Sequence, residues 1–420
     1  MEKREFLKKA SIMGLSVPLT FDHLNSLIDG SRHLSDREVA QDESFWLEIR
    51  KDYRLKPDYI NLENGYYCVM PQSTESAYIE HLKEINYQGS WYMRTVQFEN
   101  KKVNASLLAE MAGCSQEELV ITRNTTESLD MIIQGQDWMP GDEAIMSMQD
   151  YGAMLNQFKM MEKRFGIICK ELSIPNHPND DDEIVNLYRS AITPKTKLLM
   201  VCHMVNITGQ ILPVRKICDM AHELGVLVMV DGAHAFGHFQ FSINELNCDY
   251  YATSLHKWLS VPLGAGFLFV KKGKVSTVWP IFAEGEMDPN DILRLNHIGT
   301  HPAHTDLAIV NAINYHQKIG GARKEARLRF LQRYWTTQVR DLPRVEVNTP
   351  VESYRHCAIG NVGIAQIPPN EFAKRLLDEF KIWTVAIDSP GVRGLRITPN
   401  VYTTTSELDT FVEAIKQLSA

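Results

Sequence analysis

From about residue 100 to residue 270 the chain alternates short apolar runs with amphipathic segments of helical period, and few folds accommodate that alternation. The runs at 118–122, 144–148, 198–202, 226–230, 249–253 and 266–270 are short and nearly continuous in apolar character. They read as strands alternating with helices, the pattern of a mainly parallel sheet covered by helices. The segment 214–224 shows the intervening pattern: apolar residues at 214, 217, 218, 221 and 224, Pro213 before it and Gly225 after it, which is helical spacing with the expected punctuation. Beyond about residue 310 the rhythm changes. A long charged helix near 323–338 is followed by short strands near 358–364 and 395–397 around a helix at 370–380, the pattern of a smaller α+β domain. Ahead of the sheet, residues 20–55 read as polar helical material, and a buried-looking piece at 59–62 leads into the turn Glu63-Asn64-Gly65. The expected organisation is a leader at 1–20, a helical segment and arm at 21–75, a large domain at 76–310 and a small C-terminal domain at 311–420.

Composition narrows the function classes. The net charge is −8, so there is no basic excess to neutralise a nucleic acid; the local run Lys271-Lys272-Gly273-Lys274 reads as a solvated turn. Seven scattered cysteines contain no CxxC pair, which argues against a disulfide framework or a structural metal site. No stretch approaches the roughly 20 apolar residues that span a bilayer, so no membrane partner is expected. The N-terminal run Lys3-Arg4-Glu5-Phe6-Leu7-Lys8-Lys9, followed by apolar residues 12–19, resembles a twin-arginine export signal with lysine in place of the first arginine. Cytoplasmic residence and export to the periplasm both stay open.

In sheets of this kind ligands bind beyond the carboxyl ends of the strands, and chemically capable residues fall there one after another. Asp231 follows the run 226–230 in Asp231-Gly-Ala-His234; it reads either as a turn cap or as the partner of a protonated ring nitrogen. Lys257 follows the next strand in Ser254-Leu-His256-Lys257-Trp258; in a desolvated pocket its amine can form an imine and move protons. Thr125-Thr126-Glu127-Ser128 opens a helix after the first strand, either as an ordinary helix start or as a phosphate cradle.

Together with Gly299-Thr300, these motifs resemble the class V aminotransferases of pyridoxal-phosphate (PLP) fold type I, and within them the isopenicillin N epimerase-like branch, whose relatives include cysteine desulfurases. The likeness covers roughly residues 60–415. It implies an α/β fold with a mainly parallel sheet in the large domain, a small C-terminal α+β domain, PLP as cofactor and a small amino-acid-like substrate. Lys257 would carry the cofactor as a Schiff base and shuttle protons, and Asp231 would pair with the ring nitrogen with His234 behind it. Thr125, Thr126, Ser254 and His256 would hold the phosphate, and Asn206 the ring hydroxyl. Thr300 would reach the phosphate of a neighbouring subunit, which implies a homodimer with shared active sites. Arg396 would clamp a substrate carboxylate, with Asn64 and Gly65 at the substrate. The far end of the pocket would come from loops such as 91–94 and 281–286.

Two departures from the desulfurase pattern bear on the reaction. Tyr151 stands where desulfurases carry a ring-stacking histidine; it can stack but, with an unperturbed pKa of about 10, is a poorer acid-base group. The stretch 387–394 reads as a loop with no cysteine where a sulfur-accepting nucleophile would sit, and Cys357 of the His356-Cys357 pair reads as structural. The expected enzyme therefore acts at the amino group and α-carbon of an amino-acid or peptide-derived substrate. A carbon–sulfur lyase that uses no protein cysteine is the alternative, and a catalytically silent PLP fold is a remoter one.

Overall fold

A computed structural model describes residues 22–282, 287–297 and 299–420. The leader-like stretch 1–20 and most of the 281–286 loop lie outside the described residues. After a short strand β1 (Ile60–Asn61), the large sheet is built from β2 (Leu119–Thr122), β3 (Glu143–Ser147), β4 (Ile168–Leu172), β5 (Thr196–Cys202), β6 (Leu227–Asp231), β7 (Tyr250–Ser254) and β8 (Gly266–Val270). Their spatial order is β2-β8-β7-β6-β5-β3-β4. Neighbours run parallel except β8, which is antiparallel to both β2 and β7. The cause lies in the connection: residues 255–265 are too few for the helical crossover that a parallel return requires. Lys257 therefore sits in a tight return between two antiparallel strands.

Side-chain alternation splits the core into two layers. Leu199, Val201, Val228 and Val230 enter one cluster, while Leu198, Met200 and Met229 enter the other. This two-sided burial is why β5 and β6 read as continuous apolar runs. The edge strand β4 escaped the sequence reading because Ile168-Cys-Lys-Glu-Leu172 is not such a run: Ile168 is exposed, and Lys170 turns back to Glu143 at 2.7 Å. The helix after Pro213 spans Val214–Glu223.

The small sheet combines β9 (Val345–Val347), β10 (Gly360–Ile364), β12 (Val385–Ser389) and β13 (Val392–Ile397) in the order β12-β13-β10-β9, all antiparallel. The remaining strand, β11 (Ile382–Trp383), pairs in parallel with β1 and ties the N-terminal arm to this domain. The stretch 387–394, expected as a loop, is a hairpin: Ser389 pairs with Val392, and Pro390-Gly391 makes the turn with Gly391 at φ 75°. Proline presets the first turn position and glycine accepts the positive φ of the next. The helices Asp22–Gly30, Asp36–Gln41 and Glu43–Arg50 are less polar in their packing than in their composition. Leu24, Val39, Phe45, Trp46 and Ile49 are buried in one cluster with Trp258 and Leu328. Among the described residues no helix is long and apolar enough to cross a membrane, and no group of three or more His, Cys, Asp or Glu side chains could hold a metal ion.

Candidate active site

The carboxyl ends of β2, β3, β5, β6 and β7 converge on one edge of the large sheet, and the side chains singled out by the sequence lie there. Asp231 is the last residue of β6 and is buried. Its Oδ1 accepts the Ala233 N–H at 2.9 Å. Burial pushes this carboxyl up, opposed by the Ala233 hydrogen bond and by Lys257. Gly232 makes the turn possible, since a Cβ there would lie 2.0 Å from the Tyr251 ring.

Lys257 Nζ lies 2.9 Å from Nε2 of His234, and the indole N–H of Trp258 donates to Nδ1 of the same ring at 3.3 Å. Desolvation lowers the Lys257 amine to about 8, with Asp231 pulling the other way and Arg396 adding to the fall. Burial also holds His234 well below the ordinary histidine value, so its ring is neutral. An indole can only donate; Nδ1 is therefore an acceptor and the ring proton sits on Nε2. The Nε2–H then faces Lys257 Nζ, which disfavours the charged amine and works in the same direction as its desolvation.

The helix Thr125–Gln134 starts beside this lysine. Thr125 N–H donates to Ser254 Oγ at 2.9 Å and the two hydroxyls lie 2.7 Å apart, while Glu127 N–H is capped by Asn124. The N–H of Thr126 has no protein acceptor among the described residues, and His256 Nδ1 is buried without a partner. Burial lowers His256 to about 4. A helix start with an open N–H, hydroxyls from two elements and an orphaned imidazole nitrogen is the donor set that a phosphate group satisfies.

The remaining expected residues are less uniform. Asn206 lies half-buried in the turn after β5, and its carbonyl faces Arg396 Nη1 at 3.5 Å. Tyr151 caps the helix Gly152–Phe165 and is 47% exposed. Thr300 is exposed just before the helix Ala303–Ile319. The Asn64 amide is fully buried and engaged with the Thr398 carbonyl at 2.7 Å, the Tyr402 hydroxyl at 2.7 Å and Asn61 at 3.0 Å; it braces the turn. Gly65 lies against the Arg396 guanidinium, whose Cζ would be 2.8 Å from a Cβ at this position.

Three participants went unread in the sequence. Glu63 takes Arg396 side-on, with Nη2–Oε1 at 2.5 Å and Nε–Oε2 at 3.2 Å. Trp258 orients His234. Asp150, beside Tyr151, is wholly buried, and desolvation pushes its carboxyl up to about 7. Nothing in residue type or spacing announces these pairings, which depend on tertiary placement. Cys357 and His356 are buried, and the Cys357 thiol is pushed up to about 12. Cys68, also buried, is likewise raised to about 12.

A buried carboxyl that can face a ring N–H, a phosphate cradle and a buried lysine amine on one sheet edge fit pyridoxal 5′-phosphate. Fold and site define a PLP-dependent enzyme of fold type I. The class-V aminotransferase model matches residues 81–397, and the chain belongs to that family. Curated relatives include isopenicillin N epimerases: that of Streptomyces clavuligerus is 26% identical over 400 residues, covering 89% of this chain and 98% of the relative. That of Amycolatopsis lactamdurans is 29% identical over 404 residues, with coverage of 89% and 98%. Among solved structures, the apo cysteine desulfurase of Thermococcus onnurineus superposes with a TM-score of 0.78 at 21% identity, covering 89% of this chain and 97% of that one. A lysine mutant of C-DES with glycine covalently linked to its PLP cofactor gives 0.78 at 19% identity, with coverage of 87% and 98%. At these identities the structural matches establish the fold.

Proposed function

We propose that the protein acts on the amino group and α-carbon of an amino-acid or peptide-derived substrate, with Lys257 as the base that removes and returns the α-proton, in the manner of an epimerase. The observation that carries this reading is the burial of Lys257 with Nζ 2.9 Å from His234 Nε2, where desolvation lowers its amine to about 8, within reach of taking and returning a proton. PLP, when bound, draws electrons from the bonds at the substrate's α-carbon. Asp231 would hold the ring nitrogen, and the Thr125–Thr126 helix start with Ser254 and His256 the phosphate. Tyr151 would supply an aromatic face, Asn206 a bond to the ring hydroxyl, and Arg396 a donor edge to the substrate. Persulfide chemistry of the desulfurase kind is disfavoured, because the 387–394 hairpin has no cysteine and burial holds the Cys68 and Cys357 thiols protonated.

A second copy of the chain would complete the site. Tyr87, Trp91 and Phe98 project 86%, 62% and 58% exposed from consecutive helices, an apolar surface that favours association. Exposed Thr300 would then serve the neighbour's phosphate.

The test is borohydride reduction of PLP-loaded protein, wild type against Lys257→Ala. Cofactor should become fixed to the chain in wild type alone, at Lys257 in a peptide map; failure of wild type to retain PLP would overturn the reading. Incubation with amino acids and dipeptides in D2O then distinguishes reactions. Epimerisation gives α-deuteration with inversion, whereas transamination gives a keto acid.

A further inference from the structure

The Arg396 edge of the site is electrically different from a bare carboxylate clamp. Glu63 and Arg396 side chains are only 8% and 10% exposed and form a side-on pair. Glu63 has little freedom to leave it. Its Oε1 also accepts the Tyr66 N–H at 2.9 Å, its own N–H donates to Asn61 Oδ1 at 3.0 Å, and its backbone bridges to Thr398. The Gly65 backbone covers one side of the guanidinium, and among the described residues Nη1 has only the long contact to the Asn206 carbonyl. What Arg396 offers a ligand is therefore its end-on edge, Nη1 and the second hydrogen of Nη2. That Arg396 depresses both Lys257 and His234 places its field inside the same pocket.

The charge on that edge is largely cancelled. Coulomb energy falls as 1/r, so a fixed carboxylate about 7 Å away removes more than half of the attraction that the guanidinium exerts on a second carboxylate at about 4 Å. A neutral acceptor such as an amide carbonyl loses far less, because its interaction with the N–H edge is chiefly a hydrogen bond.

We propose that Glu63 is a specificity-determining residue. By keeping Arg396 paired, it frees the site from requiring an α-carboxylate and admits primary amines whose α-substituent is an uncharged acceptor, of the kind found in α-amino amides. The proposal rests on the reading of Lys257 as the centre that engages a primary amine.

The experiment titrates the PLP-loaded protein with alanine, methionine and phenylalanine and with the α-amide of each, following the absorption of bound cofactor, in wild type, Glu63→Gln and Glu63→Ala. Wild type should bind acid and amide within about tenfold of one another. Uncovering the Arg396 charge should shift the ratio toward the acid by about tenfold or more. A wild-type preference for the acids beyond about 100-fold, or a ratio unmoved or shifted toward the amides in the variants, overturns the proposal. Should Glu63→Gln lose PLP, Glu63→Ala and the wild-type ratio still decide it. If no amine perturbs the spectrum of loaded wild type, the Lys257 reading itself fails and this proposal falls with it, which differs visibly from a spectrum that responds without discrimination.

Discussion

The indole N–H of Trp258 meets Nδ1 of His234 at 3.3 Å, while Lys257, the preceding residue, meets Nε2 of the same ring at 2.9 Å. Two consecutive residues thus hold opposite nitrogens of one imidazole. The first fixes its tautomer, and that tautomer turns a ring N–H toward the second, which disfavours the charged amine. If Trp258 is replaced by phenylalanine, Nδ1 is free to carry the proton and Nε2 to accept from a charged lysine. The amine should then become more basic. Trp258→Phe is expected to raise the pH midpoint of PLP capture by about one unit, measured as the rate of absorbance change on mixing apoprotein with PLP. An unchanged midpoint would mean that the indole only packs.

In wild type the same rate should climb about tenfold per pH unit and level off near pH 8, the value to which burial lowers Lys257. An amine of ordinary basicity would keep accelerating toward about pH 10. Stopped-flow capture curves between pH 6 and pH 10 separate the two.

Gly65→Ala tests the packing behind Arg396. The new methyl carbon would stand 2.8 Å from Cζ and 2.9 Å from Nε and Nη2, so the guanidinium must move. PLP retention should be unchanged, while KM for an amine substrate rises about tenfold or more with little loss of kcat, the signature of lost uniform binding. An unaltered KM would show that Arg396 does not touch the substrate.

Asp150 gives a stability prediction with a definite sign. Its carboxyl is raised from the ordinary aspartate range to about 7 by burial. Between these values the folded state holds a proton that the unfolded chain has released. The stability this confers is complete below about pH 4 and is lost as pH rises through 7. Asp150→Asn should therefore raise Tm by a few degrees at pH 8 and change it little at pH 4. Differential scanning calorimetry at the two pH values reads this directly, and an equal shift at both would contradict it.

Legibility in the sequence followed the range of the interactions. β5, β6 and β8 stood out because both of their faces are buried, and the strand-end motifs stood out because each is contiguous. β4 did not, since an edge strand can leave Ile168 exposed and spend Lys170 on Glu143. The 387–394 hairpin was hidden by its Pro390-Gly391 turn, which looks like loop composition until its strands are paired. Arg396 was visible through Gly394-Leu-Arg396-Ile-Thr. Its partner Glu63 was not, because a glutamate in a turn carries no sign of what it will meet across the fold.

That pair also constrains the order in which the enzyme can be made. Glu63 leaves the ribosome 333 positions before Arg396. The β1–β11 ribbon, which seats the arm on the small domain, is equally non-local. A nascent chain can assemble the sheet and its lysine while Glu63 still lacks a counter-charge, and leaving one member of a buried pair alone costs about 3–5 kcal/mol. The arm is thus held back from its final seat until Arg396 has been made, so the pocket closes only once both members of the pair exist.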